Sequence, residues 1–301
     1  MMKKPCLVVI AGPTAVGKTV VAIKLALSLN TEIISADSRQ IYHELTIGTA
    51  KPVDKELAQV KHHFINHISI QTPYNANKYE HEVLGLLNNL FQKKQVVIMA
   101  GGSGLYIDAV LNGIPEYPSI TQEVRETVVQ EFDENGIAYL QNLVKKIDAP
   151  YYQQVDKQNP RRLMHAIEVY RQSGKPYSYW INQPAKKRPF NVLKILLNDE
   201  REQLYRRINE RVDDMFEAGL EEEAKRVYAY KNLSALKTVG YRELFEYFEG
   251  KFSLEKAKME IKKNSRRYAK RQLIWFRKRG FTEYSRSSID DLNRLIQEQC
   301  L

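Results

Sequence analysis

The stretch Leu7-Val8-Val9-Ile10-Ala11-Gly12-Pro13-Thr14-Ala15-Val16-Gly17-Lys18-Thr19 decides the fold. Its first half is a short apolar run bounded by Pro5 and Gly12, the pattern of a strand buried on both faces. Its second half matches G-x-x-x-x-G-K-[ST], and Val20–Leu29 behind it carries apolar residues at helical spacing. Strand, glycine loop and helix in that order make an anion cradle. Backbone N–H groups curl round a diphosphate and the helix N-terminus adds partial positive charge. Gly12, Pro13, Thr14, Ala15, Val16, Gly17, Lys18 and Thr19 are therefore candidate diphosphate-binding residues. Lys18 would neutralise phosphate oxygens and the Thr19 hydroxyl would ligate Mg²⁺.

Further strands follow at Glu32–Ala36 and Gln95–Ala100, with a helix at His81–Phe91 between them. Strands alternating with helices predict a parallel sheet covered on both faces. Beyond Pro115-Glu116-Tyr117-Pro118 the pattern turns helical, through Thr121–Glu131, Ile137–Ile147 and Pro160–Gln172. A proline-punctuated linker, Gln183–Pro189, precedes a last strand at Val192–Leu197. Helices are expected at Arg201–Ala218, Glu221–Tyr230, Tyr241–Glu249 and Leu254–Arg279. The expected architecture is α/β: a P-loop NTPase-like parallel sheet core over 1–117 and 189–301, flanked by helices, with an all-α insertion at 118–188.

The net charge is +10, and Lys251–Arg279 holds seven Lys and five Arg against two Glu, a surplus equal to the whole of it. A basic stripe so localised points to a polyanion, although a solvated helix face is the plainer account of any one such helix. Tyr268, Trp275 and Phe276 interleave with the charges. Cys6 and Cys300 stand far apart in the sequence and form no metal-ligand spacing, so both are expected as free thiols. No apolar run approaches the roughly 20 residues that span a bilayer, and a cytoplasmic protein is expected.

Asp37, in Ile33-Ile34-Ser35-Ala36-Asp37-Ser38-Arg39-Gln40-Ile41-Tyr42, stands at the carboxyl end of the second strand. Ligands of open α/β sheets bind at that edge, so Asp37 is a candidate general base or magnesium neighbour; a turn-capping aspartate is the structural alternative. The strand at Gln95–Ala100 ends in Gly101-Gly102-Ser103-Gly104 with no carboxylate, which counts against nucleotide hydrolysis.

Gly12–Thr19 and Asp37–Tyr42, with Ile47-Gly48-Thr49-Ala50-Lys51-Pro52 and Gly101-Gly102-Ser103-Gly104-Leu105-Tyr106, stand in the order and spacing seen in tRNA dimethylallyltransferases. The match continues through Pro160-Arg161-Arg162-Leu163, Arg207-Ile208 to Arg211 with Met215 and Gly219-Leu220, and Val239-Gly240-Tyr241-Arg242. It ends with Arg267-Tyr268-Ala269-Lys270-Arg271-Gln272-Leu273 and Trp275. The chain resembles the bacterial type of that family over nearly its whole length, to about residue 280.

The resemblance implies magnesium-dependent transfer of a dimethylallyl group from dimethylallyl pyrophosphate to N6 of the adenosine 3′-adjacent to the anticodon. It implies Asp37 as general base, with Thr14 and Arg211 joining Lys18 on the pyrophosphate. It implies contacts to the tRNA anticodon stem-loop from Asp37, Ser38, Arg39, Gln40, Ser103, Arg125, Arg161, Arg162, His165, Lys237, Gly240 and Arg242. Ser103 stands where many relatives carry threonine, and Gly104 where bulkier residues are tolerated. Taken without the resemblance, Arg161-Arg162 reads as an ordinary surface pair, Tyr177, Tyr179 and Trp180 as a small core, and His62, His63 and His67 as unremarkable histidines. A P-loop small-molecule kinase, an adenylate prenyltransferase and a non-catalytic RNA-binding module remain the alternatives; a monomer is expected.

Overall fold

The computed structural model describes residues 4–301. Its elements run β1 (Cys6–Ala11), α1 (Lys18–Ser28), β2 (Ile33–Ser35), α2 (Asp54–Leu57), β3 (His62–His63), α3 (Ala76–Leu90), β4 (Val96–Gly101), α4 (Gly104–Asn112), α5 (Gln122–Ile147), α6 (Ala149–Gln154) and α7 (Pro160–Ser173). They continue with α8 (Tyr177–Ile181), β5 (Asn191–Asn198), α9 (Arg201–Glu217), α10 (Leu220–Val227), α11 (Tyr241–Phe248), α12 (Leu254–Arg277), β6 (Thr282–Ser285) and α13 (Ile289–Cys300). No helix among the described residues is long and apolar enough to cross a membrane.

The six strands form one sheet in the order β3-β2-β4-β1-β5-β6, and every pairing is parallel. β1 lies between β4 and β5, with Leu7 opposite Val97 on one side and Val192 on the other. All six of its residues are buried, as a strand covered on both faces requires. Parallel strands end together. The loops after β1, β2, β4 and β5 therefore share one edge, which brings residues 12–17, 36–40, 102–103 and 199 to the same side of the sheet.

The strands β3 and β6 and the helices α2, α4, α6, α8 and α13 escaped the sequence reading. β3 is two residues long, and β6 is a polar, largely exposed edge strand; neither has an apolar run to announce it. α3 starts five residues earlier than expected, because the Asn75 side chain accepts the Lys78 N–H and caps it. The stretch 122–147 is broken at Gly136, whose left-handed φ of 71° interrupts the helix.

Two compact units emerge, one from residues 4–112 with 187–301 and one from 113–186. The second has its own core, in which Val128, Leu140, Val144, Leu163 and Ile167 are buried and Tyr177 packs at the side. Tyr177 thus serves a core, whereas Tyr179 is exposed with the Lys175 ammonium over its ring. The expectation of two free thiols is corrected: Cys6 and Cys300 form a disulfide, Cα–Cα 5.5 Å. Their 294-residue separation hid this, since α13 returns to pack Leu292, Ile296 and Cys300 into the core around β1 and α1.

Candidate active site

The glycine loop joins β1 to α1. Lys18 is the first residue of α1 and Thr19 the second. The Lys18 ammonium donates to the Pro13 carbonyl at 2.8 Å. Burial pushes its pKa down to about 8, against the pull of Asp37, and Arg211 lowers it further. Ala15 takes a left-handed φ of 63°, and its carbonyl accepts the Arg207 Nε–H at 3.1 Å. Arg207 is held in turn by Asp199 at 2.7 Å. Thr14 Oγ1 accepts from Arg211 Nη1 at 3.4 Å, while its N–H donates to Gln272 Oε1 at 2.9 Å. Gln272, buried on α12, also donates to the Gly102 carbonyl at 2.9 Å, tying two edge loops together.

Asp37 follows β2 by two residues. Its Oδ1 accepts the Arg39 N–H at 2.9 Å and the Gln40 N–H at 3.3 Å. One oxygen thus caps a turn, as the structural alternative expects, and Oδ2 makes no hydrogen bond among the described residues. The turn is braced by Ser103, whose Oγ accepts the Ser38 N–H at 2.8 Å. Gln40 Nε2 donates to the carbonyls of Thr49 and Ala50, at 3.2 and 3.1 Å.

Thr14, Asp37, Ser38, Arg39, Thr49 and Arg211 face a cleft of about 510 Å³. Among its lining residues Asp37 is the one carboxylate, against the cations of Arg39, Arg211, Lys237, Arg242, Arg267 and Arg271. Ile208, Val212 and Met215, on one face of α9, line it with Val239 and Ile261. The cleft is therefore electropositive with an apolar strip. The sequence reading missed that strip, although the spacing 208, 212, 215 was visible. It also gave no role to Arg207, Tyr268 or Gln272; Tyr268 lines the cleft, its phenol pushed up to about 12 by burial.

Of the residues expected on tRNA, Asp37, Ser38, Arg39, Lys237, Gly240 and Arg242 line this cleft. Gln40 and Ser103 spend their side chains inside the protein. Arg125, Arg161, Arg162 and His165 belong to the 113–186 unit. Arg125, Arg161 and Arg162 are exposed there, and His165 Nε2 lies 2.9 Å from the Tyr117 hydroxyl. Gly104 contradicts the expectation of tolerance: a Cβ there would stand 2.2 Å from Trp275 Nε1. The ring of Trp275 carries the Arg279 guanidinium at 3.5 Å. His62, His63 and His67 pair separately, with the Val60 carbonyl, Glu32 and Glu82.

The model of the IPP transferase family matches residues 40–279. The chain belongs to the IPP transferase family. It is 49% identical over 272 residues to the tRNA dimethylallyltransferase of Christiangramia forsetii, covering 90% of each chain. It is 48% identical over 278 residues to that of Flavobacterium psychrophilum, covering 90% of this chain and 91% of the relative. Among solved structures it resembles the tRNA isopentenylpyrophosphate transferase of Bacillus halodurans, with a TM-score of 0.72, 33% identity and coverage of 98% and 96%. It also resembles a eukaryotic dimethylallyltransferase acting on tRNA, with a TM-score of 0.80, 25% identity and coverage of 97% and 78%. The P-loop and Asp37 lie outside the span of the family model, and Asp37 and the P-loop residue Thr14 line the cleft together with residues inside that span.

Proposed function

We propose that this cleft transfers a dimethylallyl group from dimethylallyl pyrophosphate to N6 of the adenosine 3′-adjacent to the anticodon of a tRNA, releasing pyrophosphate. One observation carries the reading: a lone carboxylate among the lining residues, Asp37, shares a single cleft with Thr14 of the glycine loop, a ring of cations and an apolar strip. An adenine N6 amine is a weak nucleophile, because its lone pair is delocalised into the ring. As the N6–C bond forms and the allylic C–O bond breaks, Asp37 Oδ2 takes the N6 proton. Negative charge grows on the departing diphosphate, where Lys18, Arg211, Thr14 and the loop N–H groups stabilise it. Arg211 suits the task because a planar guanidinium can bridge two oxygens. The strip of Ile208, Val212 and Met215 takes the hydrocarbon.

The donor chemistry fits Mg²⁺. Thr19 offers a hard oxygen ligand, and diphosphate oxygens and water would fill the remaining positions, as this ion prefers. When bound, the ion would neutralise charge on the diphosphate.

The target base leaves its stack to enter the cleft, which costs a few kcal/mol. Arg39, Lys237, Gly240 and Arg242 surround it there. Arg125, Arg161, Arg162 and His165 hold the anticodon stem-loop, together with the exposed cations of α12. On this reading the protein acts in the cytoplasm as a monomer.

The test is incubation with labelled dimethylallyl pyrophosphate and Mg²⁺, and either unmodified tRNA, AMP or ADP. Label on tRNA alone is expected. Label on AMP or ADP would make the chain an adenylate prenyltransferase, and no transfer to any acceptor would return it to the kinase or RNA-binding readings.

A further inference from the structure

Glu223 is a carboxylate that the chemistry above does not use. It sits on α10 and is 2% exposed. Its Oε2 accepts the N–H groups of Thr46 and Ile47, at 2.9 and 2.8 Å. Its Oε1 accepts the N–H of Gly48 at 2.9 Å and the hydroxyl of Tyr241 at 2.6 Å. Three successive backbone amides turned toward one point form an anion-binding nest, and here the protein fills it with its own side chain. The three amides and the phenol together satisfy the hydrogen-bonding capacity of a buried carboxylate. Gly48 belongs to the same packing, since a Cβ there would lie 2.7 Å from Tyr241 Cζ and Oη.

The other face of that turn looks into the cleft. Gly48 and Thr49 line it. Ala50 offers its carbonyl to Arg211 Nη2 at 3.5 Å, and Thr49 and Ala50 offer theirs to Gln40. Tyr241, which closes the nest from α11, directly follows the Lys237–Gly240 segment that also lines the cleft. One buried carboxylate thus fastens both the 46–50 turn and the start of α11.

We infer that Glu223, acting with Tyr241, is a positioning residue for the transfer reaction: it fixes the 46–50 turn and so holds Arg211 in the direction the diphosphate needs. The inference rests on the proposed reading of the cleft, although a diphosphate is the ligand under that reading and under the kinase alternative as well. Glu223 touches no substrate, and its effect passes through the Ala50 carbonyl to Arg211.

The experiment measures binding of inorganic pyrophosphate by calorimetry and, separately, kcat and KM for dimethylallyl pyrophosphate. The proteins are the full chain and its Glu223→Gln, Tyr241→Phe, Arg211→Lys and Glu223→Gln/Arg211→Lys variants. Glu223→Gln presents an NH₂ to donors that need an acceptor, and should weaken pyrophosphate binding and lower kcat by about tenfold each. Tyr241→Phe removes one hydroxyl from an otherwise intact nest and should weaken pyrophosphate binding by about threefold. It decides the matter if Glu223→Gln does not fold. In the double variant, the loss from Arg211→Lys should be smaller than in the parent background. Pyrophosphate affinities within twofold of the parent in folded variants, or losses that multiply independently, overturn the inference. The pyrophosphate measurement needs no acceptor, so failure of the tRNA assay leaves it decisive.

Discussion

Replacing Asp37 by asparagine separates its two tasks. Asn Oδ1 can still accept the Arg39 and Gln40 N–H groups that Asp37 Oδ1 takes now, but an amide cannot accept the proton. Asp37→Asn should therefore lower turnover by about 10²–10⁴-fold, with tRNA affinity and melting temperature close to the parent's. Asp37→Ala should lose the turn as well, costing about 1 kcal/mol of stability. Steady-state kinetics and thermal melts distinguish the two; near-normal turnover in Asp37→Asn would remove Asp37 as the base. Lys18 supplies a pH signature. Its pKa is lowered from 10.5 to about 8, so between those values the unfolded chain holds the proton that the folded protein has released. Lys18 therefore makes stability rise with pH across that window and contributes a constant penalty below it. Binding runs the other way: a diphosphate favours the charged amine, so affinity for pyrophosphate should weaken as pH climbs above about 8. Lys18→Arg stays charged and should flatten that part of the profile; equal profiles would show that Lys18 does not meet the anion. At this scale the sequence was informative where the backbone pattern itself is the signal, as in the P-loop. It was silent on Glu223 and Gln272, whose backbone partners lie on the order of a hundred residues away or more.

Within α12, counting charges located the basic stripe but could not sort it. Lys258 and Lys262 pair with Asp213 of α9, Lys263 with Glu260, and Arg277 with Glu283. Arg266 donates to Asn209. Arg267, Lys270 and Arg271 are exposed and make no ion pair among the described residues, and the two arginines line the cleft. Reversing these three to Glu should weaken tRNA binding and flatten its dependence on salt, whereas reversal of Lys258 and Lys263 should leave the salt slope nearly as it was. Filter binding across a salt series reads both; equal effects would mean that the whole stripe is the footprint. α4 carries a second consequence of packing. Gly104→Ala drives a methyl into Trp275 and should destabilise the protein by about 1–3 kcal/mol in chemical denaturation. An unchanged midpoint would show that α12 can retreat. Nothing in the local sequence distinguished Gly104, because its constraint comes from a helix about 170 residues further on.

Across the whole molecule, the alternation of apolar runs and helical patterns was enough to read a parallel α/β sheet, since a strand buried on both faces must be apolar throughout. The sheet's margins were illegible for the converse reason: β3 and β6 are short and polar, and pairing rather than composition makes them strands. The disulfide was illegible too, because proximity of chain segments is not written in their spacing. The order of strands has a further bearing on how the protein is made. β1 leaves the ribosome early, but its neighbour β5 is translated only after the whole of 113–186. Until then one flank of the central strand has no hydrogen-bonding partner, and the nascent first half exposes a sticky edge. Arg211, Gln272 and the α12 cations arrive later still, so the cradle is synthesised long before anything that could close over it.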